Sequence, residues 1–326
     1  MHEHCSIVMS NLPELSAIRE AQQLLAKHFP PTPLVNAPSL SGAGSEVYLK
    51  IETVLPTGSF KPRGAMYALA KNLQRRQIDE VIASSTGNHG AATAFAARTL
   101  GVSATIFLPE QANPVKRKKI EDLGARIVCH GNIDLAGAFQ MASEYSRRPG
   151  VYFLNDATDL DLPAGPATIG LEIMEQLPDL SAVFVPMGDT ALIRGVGAAI
   201  KQLSPQTKVI GVQAEQAPAY VLSWRAGKPL PTDTCNTCAD GLATRTPEAA
   251  NVAAIRKVVD EVALVSEAQM IAAIRHLFLR ENVLAEPAGA AATAAYLARP
   301  ISGRVALLVT GANIIDEVRQ QAGIAQ

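Results

Sequence analysis

Pro56-Thr57-Gly58-Ser59-Phe60-Lys61-Pro62-Arg63-Gly64-Ala65 is the stretch from which the rest of this chain can be read. A proline biases the residue before it toward extended backbone and suits the first turn of a helix. Ala65, Met66, Leu69, Ala70 and Leu73 then recur on one helical face. The pattern predicts a helix opening at Pro62, with Lys61 just outside its N-terminus. The positive end of a helix dipole and partial burial both disfavour an ammonium, so the Lys61 pKa is expected to fall. A neutral amine is what a Schiff-base lysine needs. Lys-Pro alone reads first as a surface lysine at a helix start; the residues around it shift the balance.

Upstream, Leu15, Ile18, Leu24 and Leu25 predict a helix within 11–29, stopped by Pro30, Pro31 and Pro33. Val47 to Glu52 alternates as a strand. Downstream, Val81–Ser84, Ala104–Leu108, Arg126–Cys129 and Tyr152–Leu154 read as strands, with helices over 91–100, 114–123 and 135–146 between them. Ala182–Val185, Val209–Val212, Val262–Val265 and Val305–Val309 continue the series, with helices over 192–203, 266–280 and 288–297. Pro218–Trp224 is a further helical segment. Lys228 to Pro247, rich in Pro, Thr and Cys, predicts a long loop, which inside a compact domain often has a function. Strand–helix alternation of this kind means parallel sheets with helices on their faces. The expected fold class is α/β, with two open, mostly parallel α/β domains. Residues 1–70 and 156–326 form the larger and 71–155 the smaller.

The 326 residues, 48% of them hydrophobic, suffice for two sizeable cores. A formal charge of −1 gives no electrostatic case for nucleic acid or an anionic membrane as partner. Lys116-Arg117-Lys118-Lys119 reads as a solvated helix face. No apolar stretch is long enough to span a bilayer, and Met1 to Ser10 lack the regions of a signal peptide, so the cytoplasm is expected. Cys235 and Cys238 have metal-ligand or redox spacing but no second Cys/His pair to match, which favours loop cysteines without such a role. Cys129 ends an apolar run and reads as buried strand.

Three loops follow strands and precede helices or turns. Ser84-Ser85-Thr86-Gly87-Asn88-His89-Gly90 reads by itself as an anion site at a helix start or merely a tight turn. Pro186-Met187-Gly188-Asp189-Thr190-Ala191-Leu192 is again strand, turn, helix. Thr310-Gly311-Ala312-Asn313 ends the last strand. Ala239-Asp240-Gly241-Leu242-Ala243 and Glu286-Pro287-Ala288-Gly289-Ala290 are two further short segments.

Taken in order, these segments resemble the pyridoxal-phosphate enzymes of fold type II, and within them the threonine/serine dehydratases, over 31–313. The resemblance implies a cofactor held in the cleft between the domains, with Lys61 as its covalent carrier and, once released, the base that takes the substrate's Cα proton. It implies that Ser85, Thr86, Gly87, Asn88 and His89 bind the substrate carboxylate, with Asn88 also on the ring hydroxyl and His89 supporting the loop. Gly188, Asp189, Thr190, Ala191 and Leu192 stand where the family has a tetraglycine phosphate loop, of which only the first glycine remains. Thr190 is expected to donate its hydroxyl to the phosphate and Asp189 to face solvent or a basic partner. With three glycines gone, the turn is expected to be more helical than a tetraglycine one. Thr310 fits the partner of the pyridine nitrogen, and a hydroxyl there favours elimination. Phe60 and Glu286 complete the expected cofactor contacts.

The implied reaction is loss of water from a 3-hydroxy amino acid such as threonine or serine, giving a 2-oxo acid and ammonia, with the leaving hydroxyl protonated by the cofactor phosphate. A homodimer is expected. Rival activities on this fold are β-replacement, disfavoured by His89-Gly90, and racemisation, for which Thr86 keeps a hydroxyl. From another class, the chain reads as a non-catalytic binding protein, favoured by the altered phosphate loop and opposed by Lys61. Arg63 is a possible partner for a second substrate carboxylate. Gln213 and Ala219 replace the carboxylates of cation-activated relatives, so no metal is expected.

Overall fold

The computed structural model describes residues 11–85, 87–110, 112, 114–129 and 135–324. Its strands are β1 (Leu34–Asn36), β2 (Ser45–Ile51), β3 (Glu80–Ser84), β4 (Ser103–Phe107), β5 (Arg126–Val128), β6 (Val151–Phe153), β7 (Ala182–Pro186), β8 (Lys208–Ala214), β9 (Glu261–Val265) and β10 (Gly303–Val309). They form two sheets, in orders β1-β2-β10-β7-β8-β9 and β5-β4-β3-β6. Every pairing is parallel except β1 with β2. The expected α/β class holds.

The helices are α1 (Leu15–Leu25), α2 (Lys61–Arg75), α3 (Asn88–Leu100), α4 (Pro114–Asp122), α5 (Leu135–Tyr145), α6 (Ala164–Gln176), α7 (Ala191–Leu203), α8 (Ala219–Ala226), α9 (Ala249–Val258), α10 (Glu267–Glu281), α11 (Pro287–Ala298) and α12 (Asp316–Gln321). All five residues of β7 are buried, as a strand covered on both faces must be. One face of the large sheet packs on α10 and α11 through Ile274, Leu277 and a run of α11 alanines. The other packs on α6, α7 and α9 through Ile173, Val196 and Ile255. Small side chains bring α11 close: a Cβ on Gly289 would strike the backbone of Gly311. The small sheet lies between α2 and α3 on one side, through Leu69, Val81 and Ala96, and α5 on the other, through Ile82, Phe107 and Ala138.

Several boundaries differ from the sequence reading. Lys61 is itself the first residue of α2, with Phe60 as its cap at φ −65°, ψ −19° and Pro62 in the first turn. The bias imposed by Pro62 is overridden because Phe60 donates its amide to the Thr310 carbonyl at 3.0 Å, which fixes the entry of the chain. α3 starts at Asn88, so that residue belongs to the helix terminus rather than to the loop before it. β1, α6, α9 and α12 are additional. α6 is buried on nearly every side, so its sequence carries no amphipathic period, and Pro163, Gly165 and Pro166 read as breakers. Cys129 falls just beyond β5 and is half-buried.

Candidate active site

In both sheets the carboxyl ends of the parallel strands open toward one cavity of about 150 Å³, the usual place for a site in an open α/β sheet. Its lining joins the 60–61 segment, the loops after β3, β6 and β7, the 240–244 loop, the start of α11 and the end of β10. Phe60, Lys61, Ser85, Gly87, Asn88, His89, Gly188, Asp189, Thr190, Ala191, Leu192, Glu286 and Thr310 all line it. The structure thus brings together, of the residues it describes, all those expected to hold the cofactor or the substrate's α-carboxylate. Thr86 lies outside the described residues.

Lys61 is anchored from the backbone. Ser59 bridges to Gly311, and Phe60 bonds Thr310, so the lysine segment is stitched to the end of β10. Lys61 Nζ lies 2.5 Å from Asp156 Oδ2 and 5.4 Å from the centre of the Phe60 ring. Burial alone would lower the lysine pKa, but the Asp156 carboxylate, and after it Asp189 and Glu286, outweigh burial and move it upward. The expected fall is therefore corrected: the dominant neighbour is a carboxylate that no motif announced.

Asn88, first in α3, donates Nδ2 to Glu286 Oε1 at 2.5 Å. Its Oδ1 accepts from Asn313 Nδ2 at 2.6 Å. Asn313 is held in turn by Lys119 Nζ at 2.6 Å and the Thr57 carbonyl at 3.0 Å. The amide of Asn88 is thereby fixed in one orientation. Gly311 has no Cβ because the Glu286 carboxylate occupies that place. Burial, and then the Asp240 charge, push Glu286 up to about 7, and its Oε2 has no hydrogen-bond partner. His89 bonds the Leu154 carbonyl through Nε2 at 2.8 Å, so that nitrogen carries the proton. Burial holds this imidazole below its ordinary pKa. The ring braces the loop.

The turn before α7 departs from expectation in the opposite sense. Thr190, a β-branched residue, adopts φ 70°, ψ −5°. Such a residue in the left-handed region costs about 1–3 kcal/mol. The turn keeps the backbone shape that glycines would allow, and Thr190 bears the strain. Its hydroxyl is buried without a partner, beside helix-start amides that have no acceptor within α7. Gly188 alone had to remain glycine, since a Cβ there would meet the Gly241 carbonyl oxygen. Asp189 is half-buried in the cavity lining, and its hydrogen-bond partner is a neutral hydroxyl rather than a basic group. It accepts a hydrogen bond from Thr244 Oγ1 at 3.0 Å, and burial, followed by the Asp156 charge, pushes it up to about 6.

Arg63 is absent from the cavity. It is buried and paired with Glu52 at 2.8 Å and Glu172 at 2.6 Å, which corrects its expected reach toward substrate. The basic run on α4 divides. Arg117 and Lys118 pair with Glu121 and Asp122 on the surface, whereas Lys116 and Lys119 turn inward, Lys116 to Asp240 and Lys119 to Asn313. Gln213 accepts from the Val221 amide at 3.0 Å within the core. No helix among the described residues is long and apolar enough to cross a membrane.

Sequence reasoning missed Asp156, whose only signal is its place just after an apolar strand triplet. It also missed Asn313 as the partner of Asn88 and Thr244 as the partner of Asp189.

Comparison with known proteins gives the same direction. The profile described as pyridoxal-phosphate dependent enzyme matches residues 25–311. An L-threonine ammonia-lyase of Thermotoga maritima is 39% identical over 303 residues, 92% of this chain and 75% of that protein. A solved threonine deaminase isoform from Solanum lycopersicum superposes with a TM-score of 0.86 at 27% identity, covering 96% of this chain and 94% of the other. Maize serine racemase superposes with a TM-score of 0.89 at 26% identity, covering 96% and 97%.

Proposed function

The chain belongs to the pyridoxal-phosphate dependent enzyme family, and we propose that it is an ammonia-lyase removing water from threonine or serine to give a 2-oxo acid and ammonia. The observation that carries this reading is the convergence in one cavity of Lys61 Nζ, the oriented Asn88 amide, the unpartnered Thr190 hydroxyl and Thr310. Those groups fit the cofactor. A buried hydroxyl without a partner at a helix N-terminus suits a phosphate, and a lysine amine suits an aldehyde.

When bound, pyridoxal phosphate supplies an electron sink conjugated to the substrate's Cα. Lys61 carries the covalent link at Nζ and, once released, takes the Cα proton. The α7 amides of Ala191 and Leu192, with Gly188 and the Thr190 hydroxyl, hold the phosphate. Asp189 keeps out of the way by bonding Thr244. Asn88 and Thr310, with Phe60 and Glu286 beside them in the lining, would hold the ring. Ser85, Thr86, Gly87 and His89 position the substrate carboxylate with Asn88. In this reading residues 71–155 close as a unit on 1–70 and 156–326. The working assembly is a cytoplasmic homodimer, a point supported by the family resemblance alone.

Charge argues for a neutral substrate side chain. Among the described lining residues Asp156, Asp189, Asp240 and Glu286 are acidic, and Lys61 is the sole lysine or arginine. A second carboxylate, as in 3-hydroxyaspartate, meets repulsion there, and Arg63 is saturated elsewhere.

The test is a screen of L-threonine, L-serine and 3-hydroxyaspartate for release of 2-oxo acid and ammonia, with chiral chromatography of the remaining substrate. Turnover of threonine or serine but not of the dicarboxylate is expected. Inversion without ammonia would make the chain a racemase, and bound cofactor with no turnover would make it a binding protein.

A further inference from the structure

We propose that Asp156 is a catalytic residue, the counter-ion that holds Lys61 Nζ in place and stabilises the ammonium formed there when it takes the Cα proton. This rests on the ammonia-lyase reading. Three carboxylates face Lys61, and their environments sort them. Glu286 is engaged by Asn88 and Asp189 by Thr244, and burial pushes both above the ordinary carboxylate range, Glu286 to about 7 and Asp189 to about 6. Asp156 is the opposite case. Burial would raise its pKa, but the Lys61 ammonium in contact with it outweighs that and holds it well below the usual carboxylate range. Groups pushed apart in this way take different roles.

The carboxylate is also built to stay where it is. Asn155 Oδ1 accepts from the Ala157 amide at 3.0 Å, and the Asn155 carbonyl accepts from the Asp159 amide at 2.9 Å. The Ala157 carbonyl is held by Asn251 Nδ2 at 2.9 Å and by the buried Arg194 at 3.3 Å. The turn is thus fastened on both sides of Asp156. Its Oδ2 meets Lys61 Nζ at 2.5 Å, with the two side chains 17% and 19% exposed. His89 Nδ1 lies 3.8 Å away, too far for a hydrogen bond, and this ring donates through Nε2 to Leu154 instead.

The proton balance is simple. Once free of its covalent link to the cofactor, Lys61 Nζ would be a neutral amine able to accept a proton. It takes the proton from Cα: a C–H bond breaks, an N–H bond forms, and the bonding pair stays with the carbon. Nζ becomes an ammonium in a shielded pocket, where a fixed carboxylate at contact distance lowers the cost of forming that charge. The hydroxyl would leave with its electron pair and take its proton from the bound cofactor's phosphate, the acid expected from the resemblance, while Asp156 remains ionised throughout. The raised pKa of Lys61 therefore strengthens the base and does not idle it.

The test uses Asp156→Asn and Asp156→Glu in the full chain, with two readouts. The first is kcat and KM on threonine or serine. Asp156→Asn is expected to lower kcat by about 10²–10³-fold with little change in KM, and Asp156→Glu to recover part of it. The second needs no turnover: the pH midpoint for acylation of Lys61 by acetic anhydride in cofactor-free chain, read by peptide mass mapping. That midpoint is expected to drop by about one to two pH units in Asp156→Asn and to be largely restored in Asp156→Glu. An unchanged midpoint, whatever the activity, would overturn the proposal and leave Asp156 a structural residue. A lowered midpoint with wild-type kcat would overturn the catalytic role. Wild-type chain with no lyase activity at all would instead defeat the ammonia-lyase reading, and the proposal with it, while the Lys61 midpoint still reports the ion pair.

Discussion

Lys61 and Arg63 stand two residues apart at the start of α2, about 200° apart around the helix, and face opposite sides. Arg63 points into the core. Its guanidinium bonds Glu52, Glu172, Thr32 and Thr168, and Lys50 joins the same cluster at 2.6 Å from Glu172. Every charge there has its partners and the cluster is closed to solvent. Lys61 points into the cavity with a single carboxylate in contact and space beside it. A saturated buried charge holds elements together, here β2, α2 and α6. An undersaturated one beside a cavity is available for chemistry.

Removing each charge breaks the comparison most sharply. Lys61→Ala should cut turnover by about 10³-fold or more while the chain still folds. Arg63→Ala leaves Glu52 buried without its cation and Glu172 with Lys50 alone, which should cost about 3–5 kcal/mol of stability. Activity assays beside urea unfolding separate the two. If Arg63→Ala unfolds at the wild-type midpoint, the cluster is not structural.

The phosphate turn extends the contrast to a neutral group. Thr190→Ala removes the unpartnered hydroxyl and should weaken cofactor affinity by roughly one to two orders of magnitude, since a charge-assisted hydrogen bond contributes about 1.5–3 kcal/mol. Asp189→Gly should preserve or improve affinity. Titration of pyridoxal phosphate into cofactor-free protein reads both, and an unchanged affinity in Thr190→Ala removes that hydroxyl from the site.

Glu286 tests undersaturation through pH. Its carboxyl titrates at about 7 in the folded chain against an ordinary 4.5. Between those values the unfolded chain has already lost the proton that the native state keeps, so stability falls as pH rises through this window. Glu286→Gln should flatten that fall in cofactor-free protein and add about 1–3 kcal/mol at about pH 8. Thermal melts from about pH 5 to about pH 8, spanning the two pKa values, check it. An equally steep decline in the variant would place the shift elsewhere. The smallest effect expected is none: EDTA should leave turnover intact, because Gln213 and Ala219 offer neutral groups where hard cations need anionic oxygen. Loss of activity restored by magnesium would contradict this.

What the sequence made legible follows from these geometries. Lys61, Asn88, Gly188 and Thr310 sit where strands give way to helices or turns, and Gly and Pro mark such places. The opposite facing of Lys61 and Arg63 was not legible, because Lys61 read as lying outside the helix that the structure shows it to begin. Asp156 lies 95 residues from Lys61 in the chain, and their contact exists only because the loop after β6 meets the start of α2. Thr190 shows the limit of propensity: a β-branched residue argues against φ 70°, yet the cradle's shape overrode it. α6 was hidden because burial on nearly every side erases the period that reveals a helix.

The central claim is that Lys61 is the lysine with chemistry to do. Borohydride reduction of the cofactor-loaded protein, followed by proteolysis and mass mapping, tests it most directly. The account places the reduced pyridoxyl group on the peptide containing Lys61, with none on Lys50, Lys116 or Lys119. An adduct on any of those lysines, or no adduct on the wild-type chain, would contradict it.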